Sequence, residues 1–197
     1  MQPDGRAVGQ ALAERLRPIL REHGFHRFQG RHAWRRSELT VDLVSFPSMT
    51  SWVAAGVGCT TYSFSGAVGV YYPALDAWGP VEWPRDYRLS FRGVLGKSIQ
   101  QPCFHPYGVN DGSDRADVWY VLEDGSNLVD VLDDAVATLL AQGLPFIDRL
   151  DDPQQALHAL LHDEGRNPDF RTLGLMPGAL GSPRNTEDTA RLSSILG

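Results

Sequence analysis

Between residues 5 and 46 the spacing of the apolar residues changes, and that change constrains the fold more than any other feature of the chain. Val8, Ala11, Leu12, Leu16, Ile19 and Leu20 recur at three- and four-residue intervals, which aligns them on one face of an α-helix. Asp4 stands where an N-terminal cap accepts backbone N–H groups, and Gly24 where a residue of positive φ closes a helix. Pro18 lies within and removes one backbone hydrogen bond. The pattern then breaks into short segments, 25–28, 31–36 and 39–46, the first two separated by Gln29-Gly30. Short consecutive strands joined by tight turns read as an antiparallel meander. A helix feeding such a meander predicts an α+β domain with a largely antiparallel sheet.

Further strands are expected at 63–72, 87–94 and 117–122, for a sheet of about five to six strands. Gly66 and Gly69 interrupt the first of these, and close approach of a helix or neighbouring backbone would explain them. Two long segments, 73–86 and 98–116, read as loops, and the glycine-rich 51–61 stretch is given no helix or strand. The last third turns helical. Ser126 is placed to cap a helix reaching Gln142 and ended by Gly143 and Pro145. Asp151 or Asp152 caps a second helix that begins at Pro153 and stops at Gly165, and Glu187 and Asp188 open a final short one. The expectation is one domain over 1–197: a core of about 5–164, a Pro/Gly-rich passage at 165–185 and a terminal helix at 186–196.

Hydrophobic residues form 42% of the chain and charged residues 21%, a globular rather than a disordered balance. The start, MQPDGRAVGQ, has no basic segment leading into an apolar run, and no stretch is long enough to span a bilayer. A cytoplasmic protein with no membrane contact is expected. Cys59 and Cys103 form neither a dense disulfide framework nor a Cys-x-x-Cys pair. Charge is unevenly spread: residues 1–37 sum to +5 and residues 116–165 to −10 in a chain of net −6. Such asymmetry marks an interaction surface, or two regions that face each other in the fold.

The helix ending in PILREHGF, the hairpin after it, FSGAVGVYYP, YRLSFRGVLG, and DVWYVLEDG leading into a helix together resemble the bacterial domain-of-unknown-function family 4304. The resemblance covers about residues 8–163. It implies an α+β domain with a largely antiparallel sheet, and transfers no catalytic residue.

The candidate site is drawn from GFHRFQGRHAWRRS, residues 24–37, with four arginines, two histidines and three aromatics. Alternation on a strand sets Arg31 and Arg35 on one face, opposite His32, Trp34 and Arg36. Asp42 alternates with Val41 and Leu43, and Arg88 and Arg92 alternate with Leu89 and Phe91. If these half-faces coincide, Arg31, Arg35, Asp42, Arg88 and Arg92 form one polar sheet face suited to phosphate or carboxylate. The plainer reading is solvated arginines paired with the acidic helices, each exposed pair worth about 0–1 kcal/mol.

Other constellations are weaker. His158 and His162 have the i, i+4 spacing of metal ligands but no third partner, so no metal is expected. Cys103 and His105 lack a positioned base and an oxyanion hole, and the paired carboxylates Asp133-Asp134 and Asp151-Asp152 have capping and surface explanations. The acidic block opposes nucleic acid, even though Arg with Phe25, Phe28 or Trp34 could grip a single strand. No catalytic residue and no cofactor is assigned. The leading expectation is a binding or interaction domain of accessory or immunity type with an anionic ligand or protein partner. The alternative is a small-molecule-binding or hydrolytic enzyme with its site under the 73–86 and 98–116 loops.

Overall fold

The structure, a computed structural model, describes residues 4–76, 78–101, 115–162 and 190–194, with only the backbone of His162. Helix α1 spans Gly5–Glu22. Asp4 Oδ1 accepts the amides of Arg6 at 2.9 Å and Ala7 at 2.7 Å, and Gly24 at φ 83° turns the chain out, as the sequence predicts. The meander follows as β1 (Arg27–Gln29), β2 (His32–Arg36) and β3 (Val41–Ser45). Gln29 pairs with His32, so the hairpin turns on Gly30 and Arg31, with Gly30 at φ 59°.

The middle of the chain departs from expectation in four places. The 51–61 stretch contains a helix, α2 (Ser51–Val57), started by Thr50, whose hydroxyl accepts from the Val53 amide, and ended by left-handed Gly58. The 63–72 strand shortens to β4 (Ala67–Tyr71), while Phe64 makes isolated bridges to Ser48 and Trp119. The 87–94 strand begins as a 3₁₀ turn, Asp86–Arg88, and becomes β5 only at Phe91–Val94. The 117–122 segment makes the Trp119 bridge alone. Five strands thus form one antiparallel sheet in the order β1-β2-β3-β4-β5. A Cβ on Gly69 would lie 2.1 Å from the Phe91 carbonyl oxygen; close backbone approach does account for that glycine.

The helix expected to end at Gly143 and Pro145 continues through them. It runs as α3 (Leu128–Thr138), a π turn at Leu139–Gly143, and α4 (Leu144–Asp151). Pro145 sits in the first turn of α4, where its missing N–H is tolerated, and the wider turn before it absorbs the break. Gly143 lets the helix lie close to the sheet: a Cβ there would meet Leu139 at 2.8 Å and Val68 at 3.1 Å. Ser126 is not the cap; Asn127 occupies that position, and its side chain instead binds Leu122 N and Tyr120 O. Asp152 caps α5 (Pro153–His162) by accepting the Gln154 amide at 2.8 Å. Residues 190–194 are helical. Glu187, Asp188, the expected stop at Gly165 and the 165–185 passage lie outside the described residues.

Strand register sorts the sheet into two faces. One row, Ala33, Val44, Val68, Val70 and Phe91, joins the main core with Val8, Leu12, Leu16 and Leu20 of α1 and Val131, Leu132, Leu144 and Ile147 of the C-terminal helices. The other row, Trp34, Val41, Leu43 and Tyr71, packs under Val81, Trp83 and Leu89 of the segment linking β4 to β5. The architecture is therefore helices, sheet and a covering loop. Among the described residues no helix is long and apolar enough to cross a membrane.

Candidate cationic interface

The five residues proposed from alternation do not share one face. Arg35 pairs with Asp42 across β2 and β3, in line with Val70 and Phe91 on the helix-facing row. Arg92 stands opposite Gly69, in line with Leu43 and Trp34 on the covered row. Arg88 is not on a strand at all. The sequence pattern is correct within each strand; the register between strands and the onset of β5 decide the rest.

Arg35 is fully engaged. Its Nε donates to Asp42 Oδ2 at 2.7 Å, one terminal nitrogen to His23 O at 3.1 Å and the other to Asp148 Oδ1 at 2.8 Å. It thereby ties β2 and β3 to the end of α1 and to α4. Asp42 is 0% exposed, and its Oδ1 has no hydrogen-bond partner. Burial pushes the Asp42 carboxyl up to about 7, against the hydrogen bond and charge of Arg35 and with the help of Asp151 and Asp148. Nearby, Thr40 donates its hydroxyl to Asp151.

Arg88 braces the covering loop. Its Nε meets Asp76 Oδ2 at 3.0 Å, a terminal nitrogen reaches Gly79 O at 2.7 Å, and the guanidinium lies 5.4 Å from the Trp78 ring centre. Tyr71 donates to the same Asp76 oxygen at 2.7 Å and accepts from the Val81 amide at 3.0 Å. Burial alone would raise the Asp76 carboxyl; the hydrogen bonds from Tyr71, Arg88 and the Trp78 amide outweigh it and hold it below the usual range. Arg92 faces Asp86 at 3.5 Å. These arginines fasten loops and layers, and their charge is spent within the fold.

A different set remains. Arg17 and Arg21, one turn apart on α1, flank the Phe28 ring at 5.8 and 5.4 Å. Arg27, the neighbour of Phe28 on β1, projects to the other face and lies 4.7 Å over the Trp83 ring. Arg31 donates to Gly5 O at 2.9 Å while its second terminal nitrogen is buried without a partner, and desolvation lowers its pKa. None of these four makes an ion pair with a described carboxylate, whereas Arg15, Arg35, Arg88, Arg92 and Arg115 all do. They surround β1, which ends the sheet. Sequence reasoning found Arg31 alone. Arg17 and Arg21 carry a signal in their four-residue spacing, but nothing in the chain tells which strand they adjoin.

Two aromatics proposed for stacking, Phe25 and Trp34, are 1% exposed; Trp34 donates its indole N–H to Pro84 O at 2.8 Å and packs on His32 and Trp83. From the 73–86 loop, Val81 and Trp83 pack onto Trp34, Val41, Leu43 and Tyr71 and occupy the space over that face of the sheet. The cleft between α1 and the hairpin, lined by Leu12, Leu16, Phe28, Arg31, Ala33 and Val44 among others, encloses about 30 Å³, far below the roughly 300–1,000 Å³ of a small-molecule pocket. Among the described residues no three metal-binding side chains converge. Cys103, His105 and the His162 side chain, with residues 102–114 of the second loop, lie outside the described residues. Comparison with family models, curated proteins and solved structures finds no match to this chain.

Proposed function

We propose that the chain is a binding module that engages an anionic protein partner at the β1 edge of its sheet. The observation that carries this reading is the set of guanidinium groups on Arg17, Arg21, Arg27 and Arg31, without ion-pair partners among the described residues and grouped around one strand in a chain of net −6. Elsewhere Arg15, Arg35, Arg88, Arg92 and Arg115 pair with carboxylates; Arg6, Arg36 and Arg85 also make no ion pair with a described carboxylate, but they belong to the start of α1, the end of β2 and the covering loop. Aromatic rings beneath the β1 group hold three of its side chains in place, which lowers the entropy lost when they grip a partner. A bacterial accessory or immunity-type role, and kinship with the family the sequence resembles, belong to the same proposal.

The test compares wild-type protein with an Arg17→Glu/Arg21→Glu/Arg27→Glu variant as bait in extract of the native cell. Bound proteins are identified by mass spectrometry. A partner retained by wild type, released by salt and absent from the variant is expected. Recovery of the same proteins by both forms would overturn the assignment.

A further inference from the structure

We infer that the partner binds as an extended acidic segment that adds a sixth strand to the sheet along β1, with one small aliphatic side chain in the cleft between α1 and the hairpin. The inference rests on the anionic-partner reading and specifies how that partner is held. Three observations converge on it. Among the described residues β1 pairs with β2 alone, so its other edge presents backbone donors and acceptors with no ladder. An incoming strand places alternate side chains above and below the sheet. The cations are distributed to meet both rows: Arg17, Arg21 and Arg31 on the helix side, Arg27 over Trp83 on the loop side.

The cleft supplies the remaining requirement. Leu12, Leu16, Phe28, Ala33 and Val44 give it a mainly apolar lining, with Arg17 and Arg31 also at its walls, and its 30 Å³ holds one or two waters or the tip of a small side chain. A free small anion would meet the arginines but leave the strand edge and the apolar walls unused. A nucleic acid would offer no backbone to pair with β1.

The probe is the synthetic peptide acetyl-DEDVDED-amide, titrated into the full chain by calorimetry. Two further peptides carry N-methyl groups on alternate residues, one set on the even positions and one on the odd. In an added strand one set faces β1 and the other faces solvent, so one methylated peptide should bind at least ~10-fold more weakly than the parent and the other about equally. Replacing the valine by phenylalanine should also weaken binding, by roughly 5- to 10-fold, because a cleft of about 30 Å³ has no room for the ring. Amide exchange of Arg27–Gln29 should slow on binding. Equal affinity for both methylated peptides, with loss in the Arg17→Glu/Arg21→Glu/Arg27→Glu variant, would overturn strand addition and leave the anionic-partner reading standing. Failure of the parent peptide to bind, or indifference to those arginine changes, would overturn both.

Discussion

Asp42 is a carboxyl group in a place where a carboxyl group is expensive. It is 0% exposed, one oxygen is unpartnered, and its pKa lies at about 7 rather than near the ordinary carboxylate value of 3.8. The folded state therefore holds a proton that the unfolded chain has already released between about pH 4 and pH 7, so this residue's contribution to stability is full below about pH 4 and declines as pH rises through 7. The shift of about three units sets a ceiling of about 4 kcal/mol on that decline. Urea unfolding of wild type and Asp42→Asn across pH 4–8 should show the wild-type advantage shrinking over this range; a constant difference would show that Asp42 ionises normally. Arg35 belongs to the same argument. Arg35→Ala strands Asp42 without its guanidinium and should cost about 3–5 kcal/mol at pH 8, while an Arg35→Met/Asp42→Leu pair should recover most of that loss. Equal instability of the single and double variants would mean that packing, not charge, sets the cost. Arg35 thus changes meaning: alternation makes it look like a ligand-binding arginine, and its three partners make it a staple.

At the scale of elements, glycine and tryptophan decide how closely layers approach. Gly69→Ala drives a methyl group against the β5 backbone, with the Phe91 carbonyl oxygen 2.1 Å away, and should destabilise by about 3 kcal/mol or more because a backbone atom cannot swing aside. Gly56 offers the contrast. It lies inside α2 with nothing within 4 Å of the added carbon, so Gly56→Ala should stabilise by about 0.5–1 kcal/mol. Thermal melts of the two variants should move in opposite directions, and a shared direction would contradict the geometry. Trp34 joins the sheet to the covering loop through the Trp83 ring and the Pro84 carbonyl; Trp34→Ala should cost about 3–5 kcal/mol. It should also loosen the loop, read as faster amide exchange at 80–89. The helix through Gly143 and Pro145 shows why local breakers mislead: a proline ends a helix only where its N–H is needed, and a single π turn removes that need.

For the molecule as a whole, the opposed charges of the two chain ends are only partly neutralised against each other. Arg15 with Asp133 and Arg35 with Asp148 join N-terminal cations to C-terminal acids, while Arg17, Arg21, Arg27 and Arg31 stay outside those pairs. A nucleic acid has no peptide backbone to pair with β1, so in a chain of net −6 its phosphates gain only the arginine contacts. Titration with single- and double-stranded oligonucleotides at about 150 mM salt should therefore give only non-specific affinity, about 10⁻⁴ to 10⁻⁶ M; nanomolar binding would replace the protein partner with a nucleic acid. What the sequence by itself determined is local. The helix period and caps of α1, the meander, the two-sided alternation of each strand and the start of α5 at Pro153 after Asp151 or Asp152 follow from backbone sterics and hydrogen bonding within a few residues. Only the tertiary structure decided which half-faces meet, because register between β3, β4 and β5 is set by distant packing: it places Arg35 and Asp42 under α4 and Arg92 on the opposite face. It also decided which arginines lose their charge to a partner in the fold and which keep it, since an ion pair between residues over a hundred positions apart, such as Arg35 and Asp148, leaves no mark on either neighbourhood of the chain.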